Sequence, residues 1–313
     1  MSFCLDYDFE IDRVVEELSL RGAKRVLVQL PEGFQRCFSY ISREIRKRLP
    51  TVSLFLSLNP SYGACLVDEH SALEIGADVV LHFGHEPYPF YSPRVPTIFI
   101  PVEYRGTDKN WLRKVLGSLR EYVVYTTAQH LRTVDAVCKE LGLPFGGIVL
   151  GCWMSEPSLP RIAVVSGGRV QCLAAQLMNP HSRVLCIDPY TQRIEEVEPK
   201  RVLRSRLWKV AKAFDAKKML LIDGFYGQSR KSVIEKIVSA AERAGVSVVV
   251  AKVLKLDEAV LRNIGVTSFD AIVVASCPRL AVDDLSHLEV PVLTPGEALA
   301  ALERNLERYS YPW

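Results

Sequence analysis

Short runs of β-branched and aliphatic residues alternate with amphipathic helical stretches along this chain of 313 residues. Each run has the length of a buried strand, and a helix between two runs lets the strands lie parallel. The alternation therefore predicts an α/β fold built on parallel sheets. Predicted strands cover 25–30, 52–57, 77–82, 97–101, 121–126, 147–150, 161–166, 183–187, 218–222, 246–251, 270–275 and 291–293. Predicted helices include 10–20, 34–48, 127–141, 229–243 and 256–263.

The chain also repeats itself. KRVLVQLPEGFQR at 24–36 corresponds to KKMLLIDGFYGQSR at 217–230, GADVVLHFGHEP at 76–87 to SFDAIVVASCPR at 268–279, and VPTIFIPVE at 95–103 to VPVLTPGE at 290–297. The middle of the chain carries a shorter variant, with EYVVYTTAQ, GGIVLGC, RIAVVSGGR and RVLCIDP. Matched segments in the same order predict three similar α/β domains at 1–105, 106–195 and 196–313. We expect these domains to pack with pseudo-threefold symmetry around a central cleft.

Composition excludes several classes of protein. The chain is 49% hydrophobic and 24% charged, which is ordinary for a globular protein, and its net charge of +3 is too small to indicate nucleic acid or a membrane as partner. The sequence MSFCLDYDFEID lacks the basic and apolar regions of a secretory signal, and no apolar run approaches the roughly 18 residues of a membrane-spanning helix. We therefore expect a cytoplasmic protein with reduced thiols.

Three of the eight cysteines occupy loop-like positions just after predicted strands, one in each predicted domain. They are Cys65 in NPSYGACLVDE, Cys152 in GGIVLGCWMSE and Cys277 in DAIVVASCPRLAVDD. Ligands of open α/β sheets bind outside the carboxyl ends of the strands, where these loops lie. Three thiolates that converge there would hold one metal centre and leave one coordination position open.

The other five cysteines are expected to pack in the core or to be incidental. Cys37, Cys138 and Cys172 fall in helical patterns, Cys186 lies inside a strand, and Cys4 is near the terminus. Buried cysteine behaves as a small hydrophobic residue. In a reducing compartment we expect no disulfides among them.

The spacing of the three loop cysteines favours an iron–sulfur cluster over zinc. Structural zinc sites usually carry paired ligands close in sequence, and the chain has neither a C-x-x-C pair nor an H-x₃₋₅-H pair. The three-cysteine pattern C-x₃-C-x₂-C of the usual radical enzymes is also absent. A 4Fe-4S cluster held by three distant cysteines leaves one iron open to a substrate or cofactor.

Several other polar residues and glycine-containing loops are candidates for the functional site, and each of them also has a purely structural interpretation. The chain has no G-x-G-x-x-G or P-loop motif, but SGGRV at 166–170 and YGQSR at 226–230 follow strands and open helices. These loops either bind a carboxylate or other anion, with Arg169 or Arg230 as its partner, or are simple turns. His82 and His85 are either site residues or structural. Asp283, with its neighbour at 284, either lines the cleft or caps the next helix.

Several of these segments together resemble a known family. YGACLVDE, VLGC, GGRV, GQSR and CPRLAVDD followed by PVLTP are similar to the archaeal 2-(3-amino-3-carboxypropyl)histidine synthases, which carry out the first step of diphthamide biosynthesis. The resemblance extends from VLVQLPEG at 26–33 to PVLTPGE at 291–297. It implies three homologous α/β domains, each of which gives one cysteine to a 4Fe-4S cluster, and a homodimer.

The resemblance also implies a reaction. Cys65, Cys152 and Cys277 would hold the cluster, and S-adenosylmethionine would bind the open iron. One-electron reduction by an unidentified donor would release methylthioadenosine, and the 3-amino-3-carboxypropyl group would pass to a histidine of translation elongation factor 2. The residues expected around the cofactor are Pro31, Glu32, Gly33, Gly167, Gly168, Arg169, Gly227, Gln228, Arg230 and Asp283.

Three positions depart from the family pattern. The family usually has aspartate after the first cysteine, where this chain has Leu66, and GGRFH where this chain has Val170 and Gln171. Its third-domain loop is typically a Ser-Thr-Lys-Pro-Gly-Gln string, whereas this chain has IDGFYGQ, with Asp223 to Gly227 altered. These departures keep open a non-catalytic cluster-binding paralogue or an electron-transfer partner. A quinolinate-synthase-like dehydratase is a further alternative, although CPRLAVDD argues against it.

Overall fold

The computed structural model describes residues 2–313, which form two compact units. The first unit comprises the described residues up to Lys109 together with Ala128–Val134, and the second comprises Asn110–Thr127 together with Asp135–Trp313. The strands are β1 Tyr7–Asp8, β2 Arg25–Gln29, β3 Ser53–Ser57, β4 Val79–Phe83, β5 Thr97–Ile100, β6 Glu103–Tyr104, β7 Val123–Thr126, β8 Phe145–Ile148, β9 Arg161–Val165, β10 Arg183–Asp188, β11 Arg193–Glu196, β12 Lys218–Asp223, β13 Ser247–Lys252, β14 Ala271–Val274 and β15 Val292–Leu293.

The α-helices are α1 Ser2–Leu5, α2 Ile11–Leu20, α3 Phe38–Arg46, α4 Glu69–Glu74, α5 Lys109–Gly117, α6 Leu131–Leu141, α7 Arg169–Met178, α8 Pro199–Lys212, α9 Lys231–Ala244, α10 Glu258–Ile264, α11 Pro278–Val282 and α12 Pro295–Leu302. Short 3₁₀ helices cover Glu32–Cys37, Ala128–His130, Tyr226–Gln228, Val266–Ser268 and Leu306–Arg308. None of the helices in residues 2–313 is long and apolar enough to cross a membrane.

Each predicted strand is confirmed, with ends that shift by two residues at most. The predicted helices at 34–48 and 127–141 begin instead as 3₁₀ turns and become α-helical at Phe38 and Leu131. Periodicity does not distinguish a 3₁₀ start from an α-helical one, because both place every third or fourth residue on one face. The short antiparallel pair of β1 with β6 was not predicted, since two-residue strands carry no periodic signal.

The sheet of the first unit is fully parallel, in the order β3-β2-β4-β5. Its strands are buried on both faces. Val26 and Val28 belong to one core cluster with Ile98, whereas Leu27 and Val80 belong to a second cluster on the other face. Alternate residues of a strand point to opposite faces, so a continuous apolar run covers a sheet that has helices on both sides.

The second unit contains two further sheets. One is parallel, in the order β13-β12-β14-β15, and the other has the order β11-β10-β9-β7-β8, in which only the edge strand β11 is antiparallel. In all three sheets the first strand in sequence lies between the second and the third, and the fourth pairs with the third. The predicted repeat is therefore confirmed at the level of strand order. The exact domain boundaries and the pseudo-threefold arrangement stay predictions.

The same arrangement of hydrogen bonds, from two backbone N–H groups to one aspartate, occurs in the first and the last sheet. The carboxylate of Asp78, just before β4, accepts hydrogen bonds from the backbone N–H groups of Lys24 and Arg25 at 2.7 and 2.8 Å. Asp270, just before β14, does the same at the start of β12, at 2.8 and 2.9 Å. These N–H groups hold the pKa of both carboxyls below the ordinary value. Equivalent side chains with equivalent contacts support a true repeat over a chance likeness.

The expectation of no disulfides is wrong in this structure. Cys4 is bonded to Cys37, with Cα atoms 5.7 Å apart, and Cys172 on α7 is bonded to Cys186 on β10, with Cα atoms 5.8 Å apart. Both separations suit a disulfide. The pairing depends on how helices pack, which the sequence pattern does not reveal. Cys138 is a buried thiol, as predicted, and burial raises its pKa to about 12.

Candidate metal centre

Cys65 lies half-buried in the loop between β3 and α4 of the first unit, and its neighbours in that loop are firmly held. The side chain of Gln29, at the end of β2, donates from Nε2 to the carbonyl of Leu66 at 2.9 Å and accepts from the N–H of Asp68 at 3.0 Å. The carboxylate of Asp68 accepts hydrogen bonds from the hydroxyl of Ser57 (2.6 Å) and from the first turn of α4 (3.2 Å). The carboxyl ends of two strands thus fix the backbone on the C-terminal side of Cys65.

His82 and His85 extend this network. Nδ1 of His82 lies 2.9 Å from Oε1 of Gln29, and its Nε2 lies 3.0 Å from Nδ1 of His85. Because an amide oxygen only accepts, Nδ1 of His82 carries the hydrogen and Nε2 accepts from His85. Burial lowers the pKa of His82 well below its ordinary value and that of His85 to about 4, so both rings are neutral near pH 7. Hydrogen bonds thus tie both histidines to the network that holds the Cys65 loop, and a role for either of them in a site stays a prediction.

Cys152 and Cys277 lie in neighbouring loops of the second unit. Cys152 follows β8 in a turn that is closed by a hydrogen bond from the N–H of Leu150 to the carbonyl of Trp153, at 2.7 Å. Cys277 follows β14 and is the N-cap residue of α11. A Cβ atom added to Gly151 would lie 3.7 Å from Cβ of Arg279, so the two loops touch. Burial raises the pKa of the Cys277 thiol, although backbone N–H groups of α11 oppose this.

The structure therefore brings together the loops of two predicted ligands. Cys65 belongs to the other unit, so its convergence with Cys152 and Cys277 stays a prediction. Within neither unit do the described residues gather three or more His, Cys, Asp or Glu side chains into a metal-binding group. The chemistry of the donors suits an iron–sulfur cluster, because these three cysteines are half-buried thiols, whereas the remaining described thiol, Cys138, is deeply buried.

The three cysteines are not topologically equivalent. Cys65 and Cys152 follow β3 and β8, the second strands of their sheets, whereas Cys277 follows β14, a third strand. In the matched segments 76–87 and 268–279, His85 stands where the last repeat has Cys277. The repeat thus offers two loops at each sheet edge, and only the detailed sequence determines which of them carries the thiol.

One predicted cofactor loop lies directly against the Cys277 loop. A Cβ atom on Gly224 would lie 2.7 Å from Cβ of Gln228 and 3.0 Å from Cβ of Ser276, so only glycine allows this close approach. Asp223 holds the loop through its carboxylate, which accepts from Lys252 Nζ at 2.6 Å and from the hydroxyl of Ser229 at 2.9 Å. The altered IDGFYGQ segment is therefore an ordered part of this sheet edge.

Two further groups of predicted cofactor residues lie at the carboxyl ends of strands as well. Pro31 begins the 3₁₀ turn that contains Glu32 and Gly33, and it packs against Gly84, where an added Cβ would be 2.7 Å away from the proline ring. Gly167 and Gly168 connect β9 to α7, whose first residue, Arg169, is exposed and lies 3.8 Å from Glu195.

Asp283 does not cap a following helix. It lies at the C-terminal end of α11, and its carboxylate is 3.4 Å from Nη2 of Arg279. The next residue, Asp284, contacts the same guanidinium at 3.6 Å. Of the two interpretations offered by the sequence, the capping one is wrong.

The departures from the family pattern differ in position. The side chain of Leu66 is buried, with 1% exposure, and lies in the first unit. Val170 and Gln171 lie in the first turn of α7 and are half-buried.

Sequence reasoning missed Tyr311. Its hydroxyl donates to the carbonyl of Gly151 at 2.6 Å, and the ring lies close enough to Cys152 and Cys277 that their negative charge contributes to a pKa well above the ordinary value, after burial as the main cause. Contact across 160 residues leaves no signal in a local pattern. The aromatic cluster YSYPW at the end of the chain was the one visible hint.

The fold and the candidate site place this protein among α/β proteins that carry cysteines in loops at the carboxyl ends of parallel strands. The chain matches a family described as putative diphthamide synthesis protein over residues 30–312. It is 30% identical to the 2-(3-amino-3-carboxypropyl)histidine synthase of Pyrococcus horikoshii, over 91% of this chain and 87% of that protein. It is 28% identical to human 2-(3-amino-3-carboxypropyl)histidine synthase subunit 1, over 98% of this chain and 74% of that protein.

The fold has a solved counterpart. The crystal structure of Dph2 from Pyrococcus horikoshii with a 4Fe-4S cluster superposes with a TM-score of 0.84 at 29% identity, covering 97% of this chain and 94% of that chain. The chain belongs to the diphthamide synthesis family. This membership confirms the resemblance read from the motifs and decides against the quinolinate-synthase-like alternative.

Proposed function

We propose that this protein transfers the 3-amino-3-carboxypropyl group of S-adenosylmethionine to a histidine of translation elongation factor 2, as a radical enzyme with a 4Fe-4S cluster. The proposal includes a cytoplasmic homodimer and an electron donor that is not identified. It extends what the relatives' names state, since those relatives are histidine synthases of the diphthamide family and one of them carries a 4Fe-4S cluster.

One observation carries the proposal. The loops of Cys152 and Cys277 touch, and the glycine–glutamine loop at 224–228 packs against the second of them. A thiol-rich sheet edge thus adjoins a loop with backbone N–H groups and a nearby guanidinium, Arg230. This combination suits a cluster beside a small molecule that ends in a carboxylate.

Cys65, Cys152 and Cys277 would bind three irons through their thiolates and leave the fourth open. When bound, such a cluster would supply the one electron needed to break the bond from sulfur to the γ-carbon of S-adenosylmethionine. The protein's own part is to select that bond by fixing the amino-acid end of the cofactor. We assign that end to Gly227, Gln228 and Arg230.

The remaining loops would shape the cleft. In the second unit we assign the turn at Gly167, Gly168 and Arg169 and the carboxylate of Asp283 to its lining. In the first unit we assign the turn at Pro31, Glu32 and Gly33. Side chains that exclude water from the reacting carbon would protect a reactive radical from quenching.

The test uses anaerobically purified protein with a reconstituted cluster, dithionite, carboxyl-labelled S-adenosylmethionine and the cognate elongation factor 2. We expect label on a histidine of the factor together with methylthioadenosine as the nucleoside product. Arg230 is the N-cap residue of α9, and Arg230→Ala should weaken binding of S-adenosylmethionine. Arg243→Ala, in the last turn of α9, serves as the matched control.

An intact cluster that gives no cleavage and no label would contradict the transferase assignment. It would favour the second candidate, a cluster-binding partner of a catalytic paralogue or an electron-transfer protein. The altered segment from Asp223 to Gly227, which Lys252 and Ser229 hold in place, is the observation that favours this second candidate.

A further inference from the structure

The last residues of the chain form an ordered segment, Tyr309–Trp313, that lies on the first turn of α12. The N–H of Gly296 donates to the carbonyl of Pro312 at 2.9 Å, and the hydroxyl of Ser310 donates to the carbonyl of Trp313 at 3.1 Å. A Cβ atom on Gly296 would lie 2.4 Å from the carbonyl oxygen of Ser310. The helix therefore begins with proline and glycine, which let this segment approach its backbone closely.

From this position Tyr311 reaches the turn that carries Cys152. A hydrogen bond from the N–H of Leu150 to the carbonyl of Trp153 closes the turn, and Tyr311 contacts it from outside by donating to the carbonyl of Gly151 at 2.6 Å. Gly151 directly precedes Cys152, so this hydrogen bond restrains the peptide from which the thiol projects. A phenol hydroxyl on a rigid ring is well suited to hold a backbone carbonyl in a fixed place.

The same segment reaches the predicted cofactor loop. The ring of Trp313 stacks on the guanidinium of Arg230, whose central carbon lies 3.7 Å from the ring centroid. Stacking on an aromatic face fixes the plane of a guanidinium and keeps its N–H groups, which lie in that plane, directed outward. One short segment thus contacts both the residue before a predicted metal ligand and a predicted carboxylate-binding side chain.

We propose that Tyr309–Trp313 is a positioning segment of the candidate site, in which Tyr311 fixes the Cys152 turn through Gly151 and Trp313 orients Arg230. The proposal rests on the proposed function for the roles of Cys152 and Arg230. Neither aromatic residue is a reacting group. Their task is to hold a ligand loop and an anion-binding loop in one geometry.

The first test measures how fast individual thiols of the full chain are alkylated when no cluster is bound. Reduced, metal-free protein is pulsed with iodoacetamide, and the alkylation of Cys152, Cys277 and Cys65 is followed separately by mass spectrometry. Tyr311→Phe keeps the ring and removes the hydroxyl, so we expect alkylation of Cys152 to become about fivefold faster, as the loss of one hydrogen bond predicts. Cys65, in the other unit, should keep its rate.

Tyr40→Phe is the matched control, because it removes a phenol hydroxyl from a half-buried ring of the first unit. It should leave all three alkylation rates unchanged. An unchanged rate at Cys152 in Tyr311→Phe would overturn the proposal. Equal acceleration at all three cysteines would overturn it too, since that indicates general loosening of the fold.

The second test separates the two aromatic residues. Trp313→Leu should weaken binding of S-adenosylmethionine to the reconstituted protein, measured by calorimetry, and should leave Cys152 alkylation as in the unmodified chain. Tyr311→Phe should instead change the electron paramagnetic resonance signal of the reduced cluster. Unchanged affinity in Trp313→Leu would overturn the role assigned to Trp313.

The alkylation result does not depend on cluster assembly or on catalysis. If the protein failed to transfer the aminocarboxypropyl group, a selective change at Cys152 would still support the role of Tyr311. If transfer succeeded and Cys152 did not respond to Tyr311→Phe, the positioning proposal alone would fail.

Discussion

The side-chain oxygen of Gln29 lies 2.9 Å from Nδ1 of His82, and this contact joins the loop of Cys65 to the histidine pair of buried His82 and half-buried His85. Gln29 accepts hydrogen bonds from His82 and from the N–H of Asp68, and it donates to the carbonyl of Leu66. One fully buried amide at the end of β2 therefore satisfies polar groups of β4 and of the Cys65 loop. The arrangement leads to two predictions for the first unit.

Gln29→Leu should destabilise the first unit and loosen the Cys65 loop. The substitution leaves a buried carbonyl, a buried N–H and the histidine without their partner, and we expect a loss of about 3 kcal/mol in the free energy of unfolding. Urea titration measures the loss, and hydrogen exchange at Asp68 reports the loop. Gln35→Leu, at a half-buried position of the neighbouring 3₁₀ turn, is the control and should change stability far less.

The histidine pair should make the protein less stable in mild acid. The pKa of His85 is lowered to about 4 in the folded state, and burial also holds that of His82 well below its ordinary value, whereas both return to about 6.5 on unfolding. The unfolded chain thus binds more protons below pH 6.5, so the free energy of unfolding falls as the pH drops from 6.5 towards 4. The slope is at most about 1.4 kcal/mol per pH unit for each histidine.

Urea titrations at several pH values measure this slope. His85→Gln should flatten it, whereas His287→Gln should not, because His287 is exposed beside Glu258. A slope that stays the same in His85→Gln would show that other groups cause the acid sensitivity.

Replacing any one of the predicted ligands should prevent stable cluster assembly. Cys65→Ser, Cys152→Ser and Cys277→Ser each remove one thiolate from a three-cysteine set, so we expect iron and sulfide content after anaerobic reconstitution to fall by about tenfold or more. Cys138→Ser is the control, since that thiol belongs to α6 and is buried. Normal iron content in any of the three variants would remove that residue from the ligand set.

The buried ion pair of Arg206 with Glu297 should be important for the stability of the second unit. Nε of Arg206 donates to Oε1 of Glu297 at 2.8 Å, and both side chains are almost fully buried. Arg206→Met leaves a buried carboxylate uncompensated, so we expect a loss of about 3–5 kcal/mol in the free energy of unfolding. Arg204→Met, on the exposed side of the same helix, should change it by only about 0.5 kcal/mol.

The double variant Arg206→Met/Glu297→Leu provides the internal check. Because it removes both charges, it should be more stable than the sum of the two single variants predicts. Strict additivity in a urea titration would mean that the two side chains do not act as a pair.

The sequence by itself determined the secondary structure, the repeat and the loops that carry the candidate ligands. Strands such as β2 and β12 are encoded by local runs of apolar residues, and the position of Cys277 after β14 follows from strand boundaries alone. The family motifs are short and contiguous as well. All of these signals depend on neighbours along the chain, so one sequence is enough to recognise them.

The tertiary structure decided which distant residues meet. The contact of Tyr311 with Gly151 spans 160 residues, and the disulfide of Cys4 with Cys37 joins a terminal helix to a 3₁₀ turn. Such contacts depend on how helices and loops pack, and packing is set by the shapes of many side chains at once rather than by any periodic pattern. For this reason the sequence indicated the candidate cysteine ligands, whereas the contact of Tyr311 with the Cys152 turn emerged only from the fold.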